Sequence, residues 1–174
     1  VLTTDKEHNS NLIPAQVLSE KKGVLHTVVK SDENNCFDME AFEQALTPDV
    51  KLVSFVYTSN LDGYTLPVSE IIKKAHNNDS LVLLDAAQAA PHREINVRKL
   101  NVDFLAFSGH KIYGPTGIGV LYGKEKWLEE LLPFQGGGEM VHPVTFEKTT
   151  YNELPYKFEA GTVNYIGAIV LEEA

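Results

Sequence analysis

Six short runs rich in β-branched and aliphatic residues recur along the chain: Val1–Thr4, Val24–Val29, Lys51–Tyr57, Leu81–Leu84, Asp103–Ser108 and Ile118–Tyr122. Segments with helical spacing lie between and beyond them. Asp38 stands where a helix N-cap belongs for Asp38–Ala45, with Met39, Phe42 and Leu46 at helical spacing. Pro67 opens a helix through Asn77, whose Val68, Ile71, Ile72 and Ala75 form one apolar stripe. Trp127–Leu132 reads as helical up to Pro133, and Tyr165–Ala174 as a final helix. Runs such as Leu52-Val53-Ser54-Phe55-Val56 are apolar at consecutive positions, so both strand faces are expected to be covered. Strands of this kind alternating with helices predict an α/β fold built on a mostly parallel sheet.

Composition narrows the partners. With 15 Lys and Arg against 24 Asp and Glu in 174 residues, the net charge is −9. Nucleic-acid binding needs a basic patch that this balance does not supply. No apolar run approaches the roughly 20 residues of a membrane span. The single Cys36 can form neither an internal disulfide nor a cysteine-rich metal site, which fits a reducing, cytoplasmic setting. Val1 stands where an initiator Met would, and the last helix-like segment runs to Ala174. The chain is therefore expected to be an internal piece of a longer protein, and its length fits one domain.

In parallel α/β sheets, ligands bind beyond the carboxyl ends of the strands. The residues after each predicted strand therefore carry the functional question. Glu7-His8-Asn9 follows the first run, Thr58-Ser59-Asn60 the third, Asp85-Ala86-Ala87-Gln88 the fourth and Ser108-Gly109-His110-Lys111 the fifth. Each has a plain structural reading when taken alone: Asp85 as a helix cap, His8 or His110 as a hydrogen-bonded surface group, Lys111 as a solvated cation. Together they deliver carboxylate, amide, imidazole, hydroxyl and amine to one edge. Lys111, framed by small residues directly after a buried strand, is a Schiff-base candidate, because restricted surroundings depress a lysine's proton affinity. The glycines of Gly109–Gly119 are expected to let backbone approach a phosphate.

Other templates fail. Gly114, Gly117 and Gly119 do not give the dinucleotide fingerprint and precede a strand rather than a helix. There is no Gly-Lys-Ser/Thr phosphate loop, no His-Glu-x-x-His and no Gly-x-Ser-x-Gly elbow. After Pro133 the periodicity fades, and the stretch to Pro155 reads as a long loop of the kind that is functional or contacts another chain.

The ordered set Glu7-His8-Asn9-Ser10-Asn11, Asp85-Ala86-Ala87-Gln88, Ser108-Gly109-His110-Lys111, Gly114-Pro115-Thr116-Gly117, Gly136-Gly137-Gly138 and Phe158-Glu159-Ala160-Gly161-Thr162 resembles the class V aminotransferase group of pyridoxal-phosphate (PLP) enzymes. Within that group it looks most like the cysteine desulfurases and selenocysteine lyases of the SufS type. The resemblance implies a three-layer αβα large domain over residues 1–174, with an upstream segment and a C-terminal small domain lying outside them. It implies that Lys111 holds PLP covalently and moves the substrate proton. Asp85 would bind the pyridine nitrogen, Gln88 the phenolic oxygen with Asn60 on the same side, and Ser108 and His110 the phosphate. His8 would stack on the ring, and Thr162 would reach the phosphate of a partner subunit in a homodimer.

The implied reaction takes L-cysteine or selenocysteine as substrate and passes sulfur through an enzyme persulfide to an acceptor protein for iron–sulfur cluster assembly. The persulfide-forming cysteine and the arginine that binds the substrate carboxylate would follow Ala174, and Cys36 is read as structural. Other class V reactions, namely transamination, kynurenine cleavage or epimerisation, share the PLP contacts and stay open. So does an inactive PLP-fold dimerisation module, although the intact Lys111, Asp85 and His8 set argues against it. The chain departs from the usual family pattern at Asn9, Ala86, Lys157 and Val163.

Overall fold

The computed structural model describes residues 1–174. Six strands form one sheet: β1 (Leu2–Thr4), β2 (Thr27–Val29), β3 (Leu52–Val56), β4 (Leu81–Asp85), β5 (Phe104–Ser108) and β6 (Gly119–Gly123), in the spatial order β2-β1-β3-β4-β5-β6. Every pairing is parallel except β5 with β6, which is antiparallel. The mostly parallel α/β sheet expected from the sequence is therefore present. β3 is buried at four of its five positions, whereas the edge strand β6 exposes its first three residues.

Six helices accompany the sheet: α1 (Asn9–Lys22), α2 (Met39–Ala45), α3 (Val68–Asn77), α4 (Val97–Leu100), α5 (Glu125–Glu130) and α6 (Tyr165–Glu172). α2 starts as its sequence requires, with Asp38 Oδ1 accepting the Ala41 amide at 2.9 Å. α3 buries the stripe Val68, Ile71, Ile72 and Ala75, and these side chains join Phe42, Phe55 and Leu84 in the main core. α1 escapes the sequence reading for a physical reason. It carries Pro14 internally, buries only Ala15 and leaves Ile13, Val17 and Leu18 exposed, so no apolar stripe announces it. Its ends are well specified, with His8 accepting the Ser10 amide at the start and Gly23 in the left-handed conformation at the finish.

The segment from Pro133 to Pro155 is not one featureless loop. It holds a small hairpin, β7 (Val141–Val144) with β8 (Thr149–Tyr151), whose side chains are mostly exposed. No helix is long and apolar enough to cross a membrane.

Candidate active site

The direction in which successive strands are added to the sheet reverses at β1, because β2 lies on one side of it and β3 on the other. Loops leaving β1 and β3 at their carboxyl ends must part there, which opens a crevice. β4 and β5, next in the same parallel sheet, end on the same edge. A cavity of about 510 Å³ occupies that edge. His8, Asn60, Asp85, Gln88, Ser108, His110 and Lys111 all line it. Seven of the eight site residues expected from the sequence thus meet, although they span His8 to Lys111 along the chain. Thr162 is the exception: it is exposed and does not line this cavity.

Each element aims its residue for a local reason. Asp85 ends β4 in register with Val56 of β3 and Ala106 of β5, which places it centrally. One carboxylate oxygen accepts the Ala87 amide at 2.9 Å, so the carboxyl is fixed while its other oxygen has no protein partner. Lys111 closes a 3₁₀ turn, Gly109–Lys111, that follows β5 directly, and it is half-buried. Tyr113, two residues on, takes a positive φ of 67°, a conformation that non-glycine residues adopt at a cost. His8 caps α1 through Nδ1, which accepts the Ser10 amide at 3.1 Å. That hydrogen bond places the ring proton on Nε2.

Two of the glycines around Lys111 have a packing role that the sequence reading did not name. A Cβ on Gly109 would lie 3.0 Å from the Ile118 carbonyl, and one on Gly114 would lie 2.5 Å from Leu171 and 3.0 Å from the Gly109 carbonyl. These two glycines let the Lys111 turn fold tightly on itself and accept Leu171 of α6. Another link joins the two late motifs. The Gly161 amide donates to the Gly138 carbonyl at 2.9 Å, so the triple glycine cradles the turn that bears Thr162.

The sequence reading left three polar residues of this region without roles. Ser10 and Asn11 line the cavity from the first turn of α1. Glu7 lies just behind it, buried, with its carboxyl pushed up to about 7. Burial is the largest cause, and the nearby Asp85 charge adds to it against hydrogen bonds from Thr4, Asn11 and the Val56 backbone. Both Glu7 and Asn11 sit in the motif that carries His8, but a spacing pattern does not reveal which carboxyl will be buried.

The loops that carry His8 and Asn60 are tied together. Lys6 Nζ meets Asp62 Oδ2 at 2.6 Å and the Asn35 carbonyl at 2.5 Å, and the Ser59 hydroxyl donates to the Lys6 carbonyl at 3.0 Å. The Lys6 hydrogen bond, followed by the Tyr64 backbone amide, holds Asp62 below the usual carboxylate range. Cys36 lies outside the cavity, beside Asn34 and Asp32.

A lysine, an imidazole and a half-buried carboxylate thus converge at the strand ends of a mostly parallel α/β sheet. The chain belongs to the aminotransferase class V family, whose model matches residues 1–174. It is 47% identical over 174 residues to a probable cysteine desulfurase of Synechocystis sp., covering 100% of this chain and 41% of that relative. The crystal structure of the Escherichia coli cysteine desulfurase CsdA superposes with a TM-score of 0.94 at 38% identity, covering 98% of this chain and 43% of that one. A C-DES variant with glycine covalently linked to its PLP cofactor superposes at 0.85 with 27% identity, covering 98% of this chain and 46% of that one. The chain spans less than half the length of the curated relatives it matches.

Proposed function

We propose that residues 1–174 form the PLP-binding large domain of a cysteine desulfurase. The observation that carries this reading is the convergence of Lys111, Asp85 and His8 on one 510 Å³ cavity. Its donor set suits the cofactor. Lys111, Gln88, Ser108, His110 and Asn60 line the cavity and bring amine, amide, hydroxyl and imidazole groups to it. Cavities of a few hundred Å³ with a few convergent polar groups are the usual form of a cofactor site.

Lys111 would hold the cofactor covalently through Nζ and, once displaced by substrate, carry a proton at that nitrogen. The unengaged oxygen of Asp85 would accept a proton-bearing ring nitrogen. Gln88 and Asn60 would bind the phenolic side, and Ser108 with His110 the phosphate. The Nε2–H of His8 would donate over the site. When bound, PLP supplies an electron sink for charge developing at the substrate α-carbon.

The overall reaction converts L-cysteine and a protein thiol into L-alanine and a protein persulfide, which balances sulfur and protons without an external oxidant. Cys36 lies away from the cavity, so the thiol and the carboxylate-binding arginine are assigned to segments outside these residues. The relatives' greater length supports this. A homodimer is supported by the exposed apolar side chains of α6, where Ile166 is 63% and Ile169 60% exposed, and by the exposure of Thr162 nearby. A sulfur-acceptor protein and a reducing, cytoplasmic setting complete the proposal.

The test uses the full-length protein. It is expected to bind PLP, to be trapped by borohydride with the label on the Lys111 peptide, and to release alanine and sulfide from cysteine in the presence of a thiol reductant. Lys111→Ala should lose the trapped label and at least about 10²-fold in activity. A label that persists in Lys111→Ala, or amino transfer to a keto acid without alanine release, overturns the reading.

A further inference from the structure

Glu7 is a buried carboxyl that the proposed chemistry does not use. It is 6% exposed, on the turn between β1 and α1, next to His8. Its Oε1 accepts the Thr4 hydroxyl at 2.5 Å, and its Oε2 accepts the Asn11 side-chain amide at 2.6 Å. The Asn11 carbonyl in turn accepts the Ser54 hydroxyl at 2.5 Å. One carboxyl therefore ties β1, α1 and β3 together at the switch point. Asn11 and Val56, two of its neighbours, face the cavity alongside Asp85, and Val56 is in register with Asp85. Glu7 stands one residue layer behind the wall against which a ring nitrogen would sit.

The charged groups around Glu7 are few. From β4 it meets Asp85, which opposes its ionisation. On its own turn, Lys6 is turned away into its pair with Asp62, and His8 directs Nδ1 to Ser10. α1 contributes the neutral Asn11, and β3 contributes the Val56 backbone together with Ser54 behind Asn11. No cation compensates Glu7. Its charge state is therefore set by burial against a shell of donors, with Asp85 as the one adjustable neighbour. A cation paired with Asp85 cancels the charge that Glu7 feels and leaves the donor shell free to favour its carboxylate.

This inference rests on the reading of the cavity as a PLP site. We propose that Glu7 is a positioning residue that braces the wall behind Asp85 and releases its proton when a protonated ring nitrogen pairs with Asp85. Cofactor uptake is thereby linked to pH through a residue that does not touch the cofactor. The sign follows from linkage: if binding makes Glu7 a stronger acid, binding expels a proton, so affinity falls as the pH drops through the range where free Glu7 holds one.

The experiment titrates PLP into full-length apoprotein, wild type and Glu7→Gln, between pH 6 and 8. Glutamine keeps the size and an acceptor for Asn11 but cannot ionise. Wild type is expected to lose affinity more steeply than the variant as pH falls, the excess staying below the roughly tenfold per pH unit of a whole proton because Asp85 is the smallest of the influences on Glu7. Calorimetry in two buffers of different ionisation enthalpy should count more protons released by wild type than by Glu7→Gln. As a check independent of the variant's folding, the carboxyl ¹³C resonance of Glu7 in wild type should titrate near neutrality without PLP and lower with it. Parallel affinity curves, equal proton counts or an unmoved Glu7 midpoint, with PLP bound at Lys111 in both proteins, overturn this inference alone. Wild type that takes up no borohydride-trappable PLP overturns the cofactor reading and this inference with it.

Discussion

Removing either partner of the Lys6–Asp62 pair breaks the same 2.6 Å contact, yet the two substitutions should not cost the same. The side chain of Lys6 is 3% exposed and that of Asp62 30% exposed. Asp62→Ala leaves an ammonium that water cannot reach. It retains the Asn35 carbonyl at 2.5 Å and the Tyr64 ring at 5.3 Å, but no counter-charge. Stranding a buried charge costs about 3–5 kcal/mol, and the remaining carbonyl and ring bring the expectation to about 3 kcal/mol. Lys6→Met keeps the apolar stem and leaves a carboxylate that solvent, the Asn35 side-chain amide at 3.0 Å and the Tyr64 backbone amide at 3.0 Å can all serve. Its cost is about 1–2 kcal/mol. The double variant should then be more stable than Asp62→Ala alone, because no stranded cation remains.

Urea unfolding of the full-length single and double variants reads this order directly, with about 3 kcal/mol corresponding to roughly a hundredfold in the folding equilibrium. Asp62→Ala should also weaken PLP binding several-fold, since Lys6 joins the loops that carry His8 and Asn60. If Lys6→Met costs as much as Asp62→Ala, or the double variant equals the sum of the singles, then the asymmetry of burial does not govern the pair.

Three further outcomes follow from the same geometry. Glu7 is raised from 4.5 to about 7, so the fold favours its protonated form. Stability attributable to Glu7 is full below pH 4.5 and is lost as pH rises through about 7, a decline of about 3 kcal/mol that Glu7→Gln should abolish in denaturation curves across that range. Burial pushes the Asp103 carboxyl up, but hydrogen bonds from Lys124, His76, the Val82 amide and Trp127 overcome this and hold it below 3.8. Its contribution is present above that value and disappears as pH falls below it, so acid unfolding followed by circular dichroism should be less steep in Asp103→Asn. Gly137→Ala would place a Cβ 2.8 Å from the Gly161 amide and 3.0 Å from the Ala160 carbonyl carbon, both backbone. The turn bearing Thr162 must shift, at about 1–3 kcal/mol, which should appear as a lowered melting temperature and faster amide exchange at Gly161.

Much of this site could be read from the sequence because the sheet is parallel. In such a sheet each strand delivers its following residues to one edge, so listing what comes after Thr4, Val56, Leu84 and Phe107 lists the ingredients of one cavity without knowing any distance. β3, α3 and the Asp38 cap were legible for a related reason: their periods and caps are local properties of the chain. What escaped depends on packing. α1 lacks a stripe and contains a proline, and only the switch-point crevice explains why a helix must leave there. The need for Gly109 and Gly114 depends in part on Leu171, far along the chain, which packs where their side chains would stand.

Glu7 is the sharpest case. Its motif marked the neighbouring imidazole, and nothing in the spacing distinguishes a solvated glutamate from one enclosed by Thr4, Asn11 and Val56. The enclosure arises because β1 ends at Thr4 while β3 continues to Val56, leaving a strand edge that a side chain must cover. A carboxyl can meet that need for acceptors, but it brings a charge into the layer behind Asp85. A neutral glutamine of the same shape would avoid that charge but offer one acceptor oxygen in place of two. An acid there answers the donors of Thr4, Asn11 and Val56 with two acceptor oxygens and at the same time feels the charge of Asp85.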